Sequence, residues 1–273
     1  MFNAYTIENQ NFYLNNDLIS GVQDLSISYN NNISPSLSIG DSGRNYFVSA
    51  PIVANLDFSY ILSSKDPFIA YASDNSFSGK IEYGNKFFTF SSGYLNNYSI
   101  NYKLGEYPVV NIKALIFGEL ANTSGIFSYQ PKIMNNFDIG DNCYVDLNLN
   151  ESNSNRLESF NLNINIPRVP VYTIGNYLPD NVIIKYPIDV SSDFQFSLSD
   201  YNQEKVTNIF NNLTERNLIL SFKKYQTNQS LLTFNLSGLI NSQTELKYNI
   251  NDDAKLSLNL NTYILSGALN YSL

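Results

Sequence analysis

Histidine is absent from this 273-residue sequence, and cysteine occurs once, at Cys143. Without histidine, Ser-His-Asp and Cys-His catalysis and every His-bearing metal site are excluded. A single cysteine excludes an internal disulfide framework and a four-cysteine zinc site, so Cys143 is expected to be a small, partly buried thiol. Charge is also scarce. Only 15% of residues are charged, against about 25% in an average globular protein. The formal net charge of −8 argues against a protein that wraps nucleic-acid phosphates, which needs clustered Lys and Arg. It leaves room for a wall past which a polyanion slides without sticking. No run of about 18 apolar residues exists, so no transmembrane helix is expected. The opening MFNAYTIENQ lacks a basic start and an apolar core, which predicts a chain folded in a cytoplasm without a secretory signal.

Phosphate-cradling glycine loops are missing as well. Carboxylates remain as the one catalytic resource, in the form of a glycosidase-like pair. Glu204, Glu215, Asp180, Asp189 and Asp193 are the candidates on paper, and a solvated strand or loop face is the ordinary explanation of each. Asp252-Asp253 is read as a hairpin turn, and the loop around it holds too few oxygen ligands for calcium. The expectation is therefore no enzyme, no catalytic, metal or cofactor-binding residues, and no cofactor.

What the chain has is strand-forming residues. Hydrophobic content is 43%, with 21 Tyr and 18 Phe. Period-two alternation runs through DLSISY (24–29), NLDFSY (55–60), residues 99–104 and KLSLNL (255–260), which predicts strands with one buried and one wet face. Helix signals are few. Residues 199–213 place Val206, Ile209, Phe210 and Leu213 at spacings of three and four. A shorter candidate is Asp66 to Tyr71, with Pro67 suited to a first helical position.

The two halves of the chain repeat each other. Pro35-Ser-Leu-Ser-Ile-Gly40 matches Pro170-Val-Tyr-Thr-Ile-Gly175, 135 positions later, and Leu25, Ile27 and Tyr29 match Phe160, Leu162 and Ile164 without a gap. At 136 positions, Pro51-Ile52 and Asp57-Phe58 meet Pro187-Ile188 and Asp193-Phe194. The helix candidates follow at the same place in each half. Thr89-Phe90 then meets Thr233-Phe234 at 144, and Ile100, Tyr102, Val110 and Ile112 meet Leu246, Tyr248, Leu256 and Leu258 at 146. The repeated Asp57 and Asp193 are read either as a shared contact between copies or as polar residues at strand starts. The expected fold is all-β with one short helix per repeat: a first module over 1–120, a connecting segment over 121–142, and a second module over 143–273. Ile126, Phe127, Ile133, Met134 and Phe137 make that connection an anchored one, unlike a flexible linker.

The stretch ISGVQDLSISY (19–29), the proline-bearing loop ending in Ile39-Gly40, and the tandem arrangement together resemble the tail tube proteins of long-tailed bacteriophages, in their two-domain, duplicated form. The second half has the loop but carries Leu157-Glu158-Ser159 in place of the Gly-Val opening. The resemblance implies two β-sandwich or barrel-like modules. Three such chains would form a pseudo-hexameric ring, and the rings would stack into a hollow tube through which DNA is ejected without specific binding. It implies a virion protein of the tail, assembled in the host cytoplasm, with other tail proteins as partners and no membrane. Residues 30–50 and 166–185, the N-terminal arm and the central connection would bridge rings. Lumen-facing strands are expected to carry more acid than base. Arg168, Tyr172 and Tyr177 replace Ile33, Leu37 and Ser42 between the repeated loops, which marks the second loop as a contact between subunits or rings. The alternatives are a distal tail, baseplate hub or terminator protein, a membrane β-barrel, and a carbohydrate-binding β-sandwich.

Overall fold

A computed structural model describes residues 10–30, 33–36, 46–49, 53–62, 66–83, 86–118, 120–124, 143–149, 152–154, 157–197, 215–224, 227–249, 252–266 and 271–272. It is built from antiparallel strands. The first half contributes β1 (Gln10–Leu14), β2 (Asp17–Ile19), β3 (Val22–Asn30), β4 (Ile33–Ser36), β5 (Tyr46–Ser49), β6 (Val53–Ile61), β7 (Phe77–Tyr83), β8 (Lys86–Lys103), β9 (Val109–Phe117) and β10 (Ala121–Ser124). The second contributes β11 (Cys143–Leu149), β12 (Ser152–Ser154), β13 (Leu157–Asn165), β14 (Arg168–Val171), β15 (Asn181–Ile184), β16 (Ile188–Ser197), β17 (Arg216–Lys224), β18 (Ser230–Asn249), β19 (Asp252–Ile264) and β20 (Tyr271–Ser272).

The strands expected from alternation form, and alternation decides which face each one buries. In β6, Ala54, Leu56, Phe58 and Tyr60 are buried, while Asn55 is exposed and Asp57 half-buried. In β16, Val190, Phe194 and Phe196 are buried, while Asp189 and Asp193 are exposed. Asp57 and Asp193 therefore lie in mid-strand on the polar face, and not at strand starts. Core packing is largely aromatic. Phe12 of β1 lies 4.9 Å from Phe58 of β6, and Phe160 of β13 lies 5.7 Å from Phe222 of β17. Neither pair of strands is hydrogen-bonded, so these rings join two layers across the core.

The order of pairing recurs. In the first half it runs β3-β6-β9-β8-β7-β1-β2, and in the second β13-β16-β19-β18-β17-β11-β12. The irregularities recur too. The bulge between Val22 and Asp24 returns between Leu157 and Ser159, and the one between Leu95 and Asn97 returns between Asn241 and Gln243. Pro35 pairs with Phe47 as Pro170 pairs with Val182, keeping the 135-residue spacing through both hairpins. A bulge displaces every later side chain, so matching bulges are a stricter test of correspondence than matching alternation.

That test corrects one part of the sequence alignment. Gly79 pairs with Phe90 after the bulge in β7–β8, and Leu218 pairs with Leu236 after the matching bulge in β17–β18. Phe90 thus corresponds to Leu236 and Thr89 to Asn235, at the 146-residue spacing and not 144. A two-residue identity inside alternating sequence was outweighed by the ladder.

The helix expectations fare differently. The 66–71 candidate is a single 3-10 turn, Ile69–Ala72. The Asp66 carboxylate accepts the N–H groups of Phe68 (2.7 Å) and Ile69 (3.2 Å) at its entrance, with Pro67 between. Phe68, Ile69 and Ala72 are buried there, so the turn is a plug in the core. The 199–213 candidate lies outside the described residues. The 121–142 segment opens with β10, which pairs with residues 86–89 of β8. Its expected anchors Ile126, Phe127, Ile133, Met134 and Phe137 lie outside the described residues.

Candidate assembly interface

The two halves are joined by hydrogen-bonded strands. β13 of the second half pairs antiparallel with the C-terminal part of β8, from Ser159 opposite Lys103 to Asn165 opposite Asn97. Beyond the two ends of this ladder, Leu104 N–H donates to the Glu158 carbonyl (2.7 Å) and Ile166 N–H to the Asn96 carbonyl (2.8 Å). On the core side, Phe160, Leu162 and Ile164 stand opposite Tyr102, Ile100 and Tyr98. Five of the six are buried, and the rings of Tyr102 and Phe160 lie 5.7 Å apart. On the polar side, Asn97 donates to the side-chain oxygen of Asn163 (2.9 Å). The result is one run of eight strands, β3-β6-β9-β8-β13-β16-β19-β18, with a single apolar face.

A second link is Arg168 in β14. It is 8% exposed. Its Nε donates to the Leu95 carbonyl (2.8 Å), and Nη2 donates to the carbonyls of Tyr71 (3.1 Å) and Ser73 (2.7 Å). Its guanidinium also lies over the Tyr94 ring at 5.8 Å and 3.7 Å from the exposed carboxylate of Asp74. Burial lowers its pKa, with Asp74 opposing. A guanidinium supplies the planar fork these three carbonyls require. The hairpin that carries it is thereby pinned to the first half of the chain. Arg168, expected at a contact between subunits or rings, makes these contacts within the chain. The other two marked residues sit on the outer loop. Tyr172 is partly covered, and Tyr177 is exposed with Ile174 and Leu178 beside it. Gly175 adopts φ +99 at the loop tip, a region that favours glycine.

The polar face is dominated by Asn and Ser. Its charged strand residues are Asp24, Asp57, Glu158, Asp189, Asp193 and Glu245, against Lys103, Lys113, Lys247 and Lys255. Glu158 is placed there by its ion pair with Lys255 (3.0 Å), and the others by their pairing with one another and with Asn and Ser neighbours. Acid exceeds base on this face by two residues, so most of the −8 of the chain resides elsewhere. A groove of about 560 Å³ crosses the junction on this side, with Asn101, Asn161, Asp193, Asn259 and Gln243 in one row.

Among the described residues, the counterparts of the two edges joined at this junction are left unpaired. β3 pairs only with β6, and residues 245–249 of β18 pair only with β19, among the described residues. On the edge of β3, Leu25 and Ile27 are half-buried and Tyr29 is 42% exposed.

The carboxylates named as candidates do not converge. Asp189 and Asp193 share one face of β16, four residues apart, or about 13 Å along an extended strand, beyond glycosidase separations. Asp180 accepts hydrogen bonds from Thr173 and Asn176 in the β14–β15 loop, which lower its pKa. Glu215 is exposed beside β17, and Glu204 lies outside the described residues. Asp252 pairs with Asn249, so Asp252 and Asp253 open strand β19 next to a hairpin, and residues 250–251 between the strands lie outside the described residues. Cys143 pairs with Lys224 in β11–β17. No cluster of potential metal ligands occurs among the described residues, and no described helix is long and apolar enough to cross a membrane.

One buried site was not foreseen. Asp66 accepts hydrogen bonds from the hydroxyls of Tyr60 (2.8 Å) and Tyr98 as well as the two N–H groups above. Burial raises its pKa against the lowering effect of those four donors, and burial raises both tyrosines well above their ordinary value. The Asp-Pro entry to a short apolar stretch was its only sequence signal. The network holds the 3-10 turn in place.

No protein-family model matches the sequence, and neither does any curated protein.

Proposed function

We propose that this chain is the tube subunit of a bacteriophage tail, a fused pair of β modules that closes into rings of three. The observation that carries this reading is the β8–β13 junction. There, one half of the chain joins the other edge to edge, while the remaining two edges of the same kinds stay open. Open edges invite pairing with another chain, and ring closure removes them. Three chains would supply six modules. The continuous one-sided sheet would then line the ring with its Asn- and Ser-rich face, which has too few clustered cations to hold a polyanion. Sliding would depend on the lack of binding groups rather than on strong repulsion. The exposed β14–β15 loop, with Ile174 and Tyr177, would meet the next ring.

Electron microscopy of the purified protein, with determination of symmetry, tests this. Long hollow tubes built of threefold rings are expected. True sixfold symmetry with one chain per position would contradict the fused-pair reading. Isolated rings that never stack would favour a hub or terminator protein.

A further inference from the structure

The internal junction specifies how one chain meets the next. Because β3 corresponds to β13 at 135 residues and β8 to β18 at 146, the cis ladder can be transferred residue by residue onto the two open edges. We infer that β3 of one chain adds to β18 of a second copy in one fixed register, with Ser26 opposite Lys247, Ile27 opposite Leu246 and Ser28 opposite Glu245. This inference rests on the ring reading above and goes further by naming the paired residues.

Three observations support it. Asn161 opposite Asn101, Leu162 opposite Ile100 and Asn163 opposite Ser99 are the corresponding pairs in the cis ladder. The faces agree, since Ile27 and Leu246 fall on the core side and are only half-buried in the single chain, while Ser26, Ser28, Glu245 and Lys247 are exposed on the polar side. A shift of one residue would place Ile27 against Glu245 or Lys247 and turn apolar groups to water. The transferred pairs also set no like charges opposite each other, so the register carries no repulsion. One element is not copied. Ile33 stands where Arg168 stands in the second hairpin, so the trans junction has no guanidinium clamp and depends on the strand ladder itself.

Cysteine cross-linking reads the register directly. Directly opposite antiparallel residues lie within reach of a disulfide, and residues displaced by two do not. In a Cys143→Ser background, Ser26→Cys with Lys247→Cys is expected to give oxidised species at multiples of 30.9 kDa. The yield should be about tenfold above Ser28→Cys with Lys247→Cys. Asn101→Cys with Asn161→Cys, the cis counterpart, should close within one chain and give no multiples. Should the double variant fail to fold, chains bearing Ser26→Cys alone are mixed with chains bearing Lys247→Cys alone. A disulfide-linked dimer in the mixture only is then the expected result. Rings visible by microscopy without preferential linkage of this pair would overturn the register and leave the ring reading intact. Chains that remain monomeric by both measures would overturn the two together.

Discussion

Arg168 donates from Nε to the carbonyl oxygen of Leu95, 2.8 Å away, across 73 residues of sequence. The bond passes from the second-half hairpin to the first-half strand at the residue just before the β8 bulge. It ties the two halves at a point that the ladder between them does not reach.

Truncating that side chain should be costly. Arg168→Ala leaves the carbonyls of Leu95, Tyr71 and Ser73 without their donor, and a loss of about 2–4 kcal/mol is expected from hydrogen bonds to a charged group in a buried site. Arg168→Lys should recover less than half of it, because an ammonium cannot span three carbonyls as a planar fork does. Urea unfolding of the three proteins measures this. Equal midpoints for wild type and Arg168→Ala would show that the clamp contributes nothing.

The repeat supplies a compensating pair. A Cβ on Gly79 would clash with the ring of Phe90, so Gly79→Leu alone should destabilise by about 1–3 kcal/mol or more through overpacking. In the second half the corresponding positions hold Leu218 and Leu236. Gly79→Leu combined with Phe90→Leu is therefore expected to recover most of the loss. A double variant as unstable as Gly79→Leu would argue that the two sites are not equivalent in packing.

Asp66 should impose a pH dependence of known sign. Its folded pKa is raised by burial above the ordinary 3.8, so the folded state holds the proton more tightly than the unfolded one. Its contribution to stability is complete below the ordinary value and is lost as pH rises through the raised value. Unfolding measured from about pH 3 to 7 should show wild type gaining on Asp66→Asn as pH falls. Parallel profiles for the two proteins would contradict the assignment.

The two halves should unfold together. Phe160 is 3% exposed and packs on Tyr102 of the first half and on Phe194 and Phe222 of the second, and the buried core is one continuous cluster. Phe160→Ala should cost about 3–5 kcal/mol and lower a single calorimetric transition. Two resolved transitions, of which only one moves, would show that the halves are independent.

The repeat was readable wherever punctuation accompanied alternation. Pro35 and Pro170, or Asp57 and Asp193, align because a ring-locked φ or a polar residue at one place in an apolar stretch has few equivalents nearby. It was misread at Thr89-Phe90, because alternation alone makes a two-residue slip nearly invisible: every side chain keeps its face. The bulges that settle the spacing leave no mark in composition. The helix at 66–71 was read as longer than it is, since Pro67 and the apolar run fit a first helical turn equally well whether or not further turns follow.

The sequence by itself determined the strand content, the face each strand buries and the doubling of the pattern. These depend on side-chain period and on local backbone restriction, both of which act over a few residues. It also ruled out histidine and disulfide chemistry by composition. Tertiary structure alone decided that the halves share one sheet through β8 and β13, that Arg168 serves as an internal clamp, and that the counterpart edges, β3 and the end of β18, are left unpaired among the described residues. Those outcomes rest on contacts between residues some 60 to 100 positions apart, which hydrophobic period does not encode.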